Sequence, residues 1–280
     1  MARELSSQVL KSEHRAVAKA ISIVEAGGEP SRKLIQELYP HTGKAFTIGV
    51  TGPTGTGKST LVDKIVGEYR ERERSVGVLA IDPSSAFTGG ALLGDRVRMM
   101  DHSLEKKVYI RSMASRGDLG GLARAARNTI RVLDAAGMDV IIVETVGAGQ
   151  TEVQIASTVD ATIVVLMPQL GDEVQAFKAG FAEIGDLFVI NKSDLVNPAK
   201  TIYNIASGLQ ERDGWRPPVL KTVAVKGTGV PAVVYHQTVK RLGDQKELDA
   251  LVGRVVKREL DPETAASRLV EIISKLGEHA

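Results

Sequence analysis

Cysteine is absent from the 280 residues, which excludes disulfide scaffolds, thiol nucleophiles and cysteine-based metal sites together. Aromatic residues make up only 4% of the chain. Trp215, in Asp213-Gly214-Trp215-Arg216-Pro217-Pro218, reads as loop or edge packing rather than a cofactor platform. The five histidines (His14, His41, His102, His236 and His279) are scattered, and each reads as a surface or packing residue. No apolar run reaches the roughly 18 residues that span a bilayer. The opening stretch, MARELSSQVLKSEHR, lacks the apolar core of a secretory signal. Neither sign of charge dominates: Lys and Arg number 36 against 34 Asp and Glu, a net charge of +2, so there is no electrostatic case for a nucleic acid as partner. These absences lead us to expect a soluble, cytoplasmic protein with neither a membrane nor a nucleic-acid partner. What remains, 43% hydrophobic and 25% charged residues, is globular composition. At this length it suits one large domain or one domain with small appendages.

Apolar runs of strand length recur with helical stretches between them, at Phe46 to Thr51, Ser75 to Ile81, Val108 to Ser112, Val140 to Glu144, Ala161 to Met167, Leu187 to Asn191 and Val219 to Ala224. Strands that are apolar on both faces and alternate with helices predict an α/β fold: a mainly parallel sheet of about seven strands covered by helices on both faces. Ahead of it, Val9, Leu10, Val17, Ile21 and Val24 fall at helical spacing and predict one helix, stopped by Gly27 and Gly28. A second, shorter helix around Leu34, Ile35 and Leu38 ends at Pro40, and together these predict a helical lid on the sheet. From Val230 onward no strand pattern remains, and the tail predicts helices, the last starting at about Pro262 behind Asp261. The expected division is an N-terminal helical extension (1–44), a nucleotide-binding domain (45–229) and a helical C-terminal arm (230–280).

Ligands of such sheets sit beyond the carboxyl ends of the strands. Directly after the first run comes Gly52-Pro53-Thr54-Gly55-Thr56-Gly57-Lys58-Ser59-Thr60, a complete G-x-x-x-x-G-K-S phosphate loop between a strand and a helix, the signature of a P-loop NTPase. The glycines let backbone N–H groups turn toward phosphates, and the helix start adds its positive end. Lys58 is the candidate for the β and γ phosphates, and the Ser59 hydroxyl for Mg²⁺. Asn191-Lys192-Ser193-Asp194 then follows the sixth run. A carboxylate at Asp194 accepts from both N1–H and the exocyclic amine of guanine, whereas adenine offers an acceptor at N1 and leaves it unpaired. Lys192 is expected to lay its stem along the base, and Asn191 to tie this loop to the phosphate loop.

Two acids stand at strand ends, Asp82 in Ile81-Asp82-Pro83-Ser84-Ser85 and Glu144 in Glu144-Thr145-Val146-Gly147. Both are candidates to supply oxygen to Mg²⁺ or to hold its waters. Gly147 lies where many GTPases carry D-x-x-G, so its N–H is a candidate γ-phosphate sensor. Thr88-Gly89-Gly90 and Gly94-Asp95-Arg96 form a Gly-rich segment that can order around a triphosphate as a switch. Arg111 and Arg116, at and after the third run, are the candidates for a transition-state cation supplied within the chain.

Pro40-His41-Thr42-Gly43, the phosphate loop, Asp82-Pro83-Ser84-Ser85, Thr88-Gly89-Gly90 through Gly94-Asp95, Val143-Glu144-Thr145-Val146-Gly147 with Gly149-Gln150, Asn191-Lys192-Ser193-Asp194 and the late Leu260-Asp261-Pro262 together resemble the MeaB/ArgK family of GTPases. The resemblance implies a GTP-hydrolysing chaperone of adenosylcobalamin-dependent methylmalonyl-CoA mutase that gates cofactor loading and protects the enzyme. It also implies a homodimer with a helical C-terminal arm, and a Mg²⁺ environment built from Ser59, Asp82, Asp95 and Glu144, with Lys58, Asp95 and Glu144 in catalytic roles. Val223-Ala224-Val225 matches the loop over the guanine, where the family usually carries Ser-Ala. The substitution removes a side-chain contact and keeps the backbone N–H of Ala224.

Two other classes fit these residues less well. A P-loop kinase acting on a small amino-acid-like substrate, the older ArgK-type label, needs a base for the acceptor, and Asp95 and Glu144 are better explained beside the metal. A nickel-insertion GTPase needs clustered His or Cys ligands, which this chain lacks.

Overall fold

The computed structural model describes residues 2–82, 102, 105–114, 119–145, 156–168, 180–195, 197–211 and 216–243. Its seven strands are β1 (Phe46–Thr51), β2 (Val76–Asp82), β3 (Val108–Ala114), β4 (Val140–Thr145), β5 (Ala161–Leu166), β6 (Leu187–Ile190) and β7 (Val219–Lys221). They form one sheet in the order β3-β2-β4-β1-β5-β6-β7, with every neighbouring pair parallel. The residues of β1, β4, β5 and β6 are buried throughout, as strands covered on both faces must be. From β1 the chain builds β2, β3 and β4 to one side and β5, β6 and β7 to the other. This places the crevice at the carboxyl end of β1, the position where parallel sheets bind ligands.

Among the described residues the helices of two turns or more are α1 (Ala2–Val9), α2 (His14–Ala26), α3 (Gly28–Leu38), α4 (Lys58–Glu71), α5 (Leu119–Ala135), α6 (Ala199–Gly208) and α7 (Val230–Gly243). The single N-terminal helix expected from Val9 to Val24 is instead two. Ser12 stands between them at φ 57°, outside the helical region, and its hydroxyl donates to the Ala136 carbonyl at 2.5 Å. The apolar spacing hid the break because Val9, Val17, Ile21 and Val24 all bury into one cluster on either side of it. That cluster also holds Leu34 and Leu38 of α3, Ala126 and Leu133 of α5, and Leu79 and Ile141 of the sheet, so the N-terminal helices do form a lid.

Two polar contacts fasten this lid. Arg111 of β3 donates to Glu25 of α2 from Nε at 3.1 Å and from its terminal nitrogen at 2.6 Å. Asp134, at the end of α5, accepts the backbone N–H groups of Gly43, Lys44 and Ala45 at 2.5, 3.2 and 3.0 Å. The chain entering β1 is thereby held by charge-assisted bonds. On the other half of the sheet, Ile205 of α6 and Leu209 pack on Val164, Leu166, Phe188 and Ile190. β7 stops at Lys221, short of the expected Ala224, because Val223 turns to bridge Thr228 and Ala224–Lys226 forms a 3₁₀ turn.

The chain divides into two compact units, Met1–Val233 and Val234–Ala280. The predicted helix start at Pro262 lies outside the described residues.

Candidate nucleotide site

β1 runs directly into the glycine-rich loop, and α4 starts at Lys58. The residues from Gly52 through Pro53, Thr54, Gly55, Thr56 and Gly57 to Lys58, Ser59 and Thr60 therefore stand in the strand-loop-helix arrangement that the motif requires. Gly57 occupies the left-handed region at φ 89°, and a Cβ there would fall 2.5 Å from Asn191 Nδ2, so no other residue fits without moving that side chain. The Thr56 hydroxyl donates to the Pro53 carbonyl at 2.9 Å. Lys58 is buried. Its Nζ donates to the carbonyls of Gly52 and Pro53 at 2.7 and 2.9 Å, which holds the ammonium against the loop at the positive end of α4.

Glu144 lies within β4, one residue before its end, paired in register with Val50 of β1, and is 5% exposed. Ser59 Oγ donates to Glu144 Oε1 at 2.7 Å. A serine hydroxyl and a buried carboxylate beside the phosphate loop are hard oxygen donors, the chemistry that Mg²⁺ takes and softer metals do not favour. Among the described residues no group of three or more acidic or histidine side chains could enclose a metal by itself. Asp82 is the last residue of β2, in register with Ala114. Asp95, the Thr88-Gly89-Gly90 segment, Gly147 and Arg116 lie outside the described residues.

Arg111 does not fit the role of a transition-state cation. It sits in the middle of β3 and its guanidinium is spent on Glu25, whose hydrogen bond holds the Arg111 pKa above the ordinary arginine value. The sequence could not show this pairing, because the partners lie 86 residues apart.

The second loop is organised by one side chain. Asn191 Nδ2 donates to the Thr56 carbonyl of the phosphate loop at 2.9 Å, while Asn191 Oδ1 accepts from the Thr222 hydroxyl and the Ala224 N–H, both at 3.0 Å. The expected tie between the two loops is present, and it reaches a third loop as well. The Ala224 N–H is thus bonded to Asn191, while Val225 is exposed beside it. Lys192 takes φ 55°, and its Nζ reaches across to the Gly55 carbonyl at 2.7 Å. The Asp194 carboxylate faces outward and accepts from Lys226 Nζ at 3.1 Å. That bond holds the Asp194 pKa below the ordinary aspartate value. Sequence reasoning stopped at Val225 and missed Lys226 and Thr222, which only the turn of the chain brings to the site.

A phosphate loop at the carboxyl end of the central strand of a seven-stranded parallel sheet, joined by Asn191 to a base-side loop, defines a P-loop nucleotide hydrolase. The comparisons with known proteins place it further. The family described as methylmalonyl Co-A mutase-associated GTPase MeaB matches residues 17–271, and the chain belongs to this family. A protein of Pyrococcus abyssi named as a GTPase is 44% identical over 99% of this chain and 92% of its own length. The methylmalonic aciduria type A homolog of Mus musculus, a mitochondrial protein, is 37% identical over 81% of this chain and 60% of its own. A crystal structure described as an LAO/AO transport system kinase superposes with a TM-score of 0.66 at 26% identity, covering 98% of this chain and 97% of that one. The protein is a GTPase of the MeaB family.

Proposed function

We propose that this GTPase binds GTP with Mg²⁺ and couples hydrolysis to the assembly and protection of an adenosylcobalamin-dependent methylmalonyl-CoA mutase. The nucleotide half of the reading is carried by Asn191, whose one carboxamide bonds the phosphate loop on one side and the base-side loops on the other. A nucleotide would then lie with its phosphates on residues 52–60 and its base between Lys192, Asp194 and the turn at 223–225. Mg²⁺ would be held by Ser59 and Glu144, with Asp82 and Asp95 as further candidates from the sequence; when bound, it neutralises charge on the β and γ phosphates. Lys58, whose Nζ bonds the Gly52 and Pro53 carbonyls, would supply the cation that meets those phosphates.

The mutase half is supported by the printed description of the matching family and by the name of the mouse relative. Catalysis by the isolated chain is expected to be slow: the candidate cation among the described residues, Arg111, is committed to Glu25, and Arg116 lies outside them. A missing transition-state cation costs a factor of roughly a thousand or more, which a partner can restore. The deciding assay measures GTP turnover of the purified chain alone and with methylmalonyl-CoA mutase. Slow turnover that the mutase accelerates is expected, whereas fast turnover indifferent to the mutase contradicts the reading. We further infer a homodimer held through residues 230–280. Light scattering on the full chain at micromolar concentration is expected to give twice the monomer mass, and a monomer contradicts it.

The transport-kinase structure favours a second reading, phosphoryl transfer to a small amino-acid-like acceptor. Of the two candidate bases, Glu144 is bonded to Ser59 instead, and Asp95 lies outside the described residues. Appearance of a phosphorylated amino acid in the same assay would support the kinase.

A further inference from the structure

We propose that Lys226, which lies outside every motif of the site, is a positioning residue for guanine recognition that sets the orientation and charge of Asp194. The proposal rests on the guanine reading of Asp194 given above.

The two partners are presented by turns that are hydrogen-bonded to each other at their roots. On one side, the Ser193 N–H donates to the Thr222 carbonyl at 3.2 Å and the Ser193 hydroxyl to the Ile190 carbonyl at 2.6 Å. The Leu195 N–H closes the turn on Lys192 O at 3.1 Å. Asp194 is therefore carried on a bonded turn. On the other side, Lys226 ends the 3₁₀ turn Ala224–Lys226, which is bracketed by the Val223–Thr228 bridge and by the Ala224 N–H bond to Asn191. The turn closes through Gly229 at φ 81°, where a Cβ would come within 2.2 Å of the Lys221 carbonyl, so this path is open to glycine alone. The bonded turns fix where the two side chains start, so the pair is within reach in every molecule, and its worth is that of an exposed ion pair.

The pair meets at Oδ2 of Asp194. A carboxylate oxygen has two lone-pair sites, so Lys226 leaves Oδ1 and part of Oδ2 for the two N–H groups of the Watson–Crick edge. The ammonium of Lys192, two residues before Asp194, is bonded to Gly55 O of the phosphate loop. Lys226 is thus the cation bonded to Asp194 among the described residues. It fixes the rotation of the carboxylate and favours its ionised form, which is the form that accepts from guanine. The low Asp194 pKa is consistent with this.

Calorimetric titration of GDP into the full chain tests it, with Lys226→Met, Lys226→Arg and Asp194→Asn as the variants. Lys226→Met is expected to weaken GDP about two- to fivefold near neutral pH, and Lys226→Arg to restore it. The deficit of Lys226→Met should widen as the pH is lowered toward the aspartate range, about 4. Without Lys226, Asp194 takes up its proton at a higher pH and stops accepting from guanine sooner. A purely structural role would leave the gap independent of pH. GDP affinity unchanged in Lys226→Met, or a gap constant with pH, overturns the proposal. If Asp194→Asn also leaves GDP binding unchanged, the guanine reading itself has failed, and that outcome is distinct from failure of Lys226 alone.

Discussion

Ser59 Oγ and Glu144 Oε1 lie 2.7 Å apart, so the first turn of the phosphate-loop helix is hydrogen-bonded to the strand beside β1. The contact joins one residue inside the phosphate motif to one far outside it, and it sets two oxygen donors side by side at the carboxyl end of the central strands. If this pair holds Mg²⁺, Ser59→Ala removes one donor and leaves Glu144 without the partner that orients it. The gain in GTP affinity on adding Mg²⁺ should fall by about tenfold or more, and Ser59→Thr should retain it. Titration with GTP in Mg²⁺ and in chelator checks this, and an unchanged gain in Ser59→Ala speaks against the site.

Asn191→Ala removes three bonds at once, to Thr56, Thr222 and Ala224. Buried backbone groups left without partners cost more than the bonds contributed, so a loss of about 2 to 4 kcal/mol in unfolding free energy is expected, together with weaker GDP binding. Asn191→Asp should be at least as damaging, because it turns an oxygen toward the Thr56 carbonyl. Urea unfolding of the two variants decides this, and a stability equal to that of the parent would contradict the keystone role of Asn191.

Glu105 bonds Arg70 of α4 at 2.8 Å and lies 2.6 Å from His102 Nδ1. The hydrogen bond with His102, followed by that from Arg70, holds the Glu105 pKa below the ordinary glutamate value. A carboxylate depressed on folding contributes stability that is complete above its unfolded pKa and is lost as the pH falls through the lowered folded value. Glu105→Gln should therefore be less stable than the parent at neutral pH, by no more than about 1 kcal/mol given its exposure to solvent. The two should converge in acid. Urea midpoints across that pH range test it, and a gap that widens toward acid would reverse the assignment.

The sheet was legible because seven short runs are apolar without alternation, and only strands covered on both faces need that. The phosphate loop and Asn191 were legible because phosphate cradles and loop ties place fixed residue types at fixed spacing. What escaped depends on residues far apart in the chain. The break at Ser12 leaves the apolar spacing intact, so periodicity reads through it. The carboxylate of Asp134 serves N–H groups 89 to 91 residues away, and Arg111 is claimed by Glu25 rather than by a ligand. Lys226 follows the recognised turn by one residue, and only the reversal at Gly227 to Gly229 brings it to Asp194.

A site made for guanine nucleotides should separate GDP from ADP, and calorimetry comparing the two reads that separation. Asp194 accepts from donors that guanine carries and adenine lacks, so GDP should bind at least about a hundredfold tighter than ADP, and Asp194→Asn should erode that ratio. Comparable affinities for GDP and ADP in the unmodified chain would contradict the account.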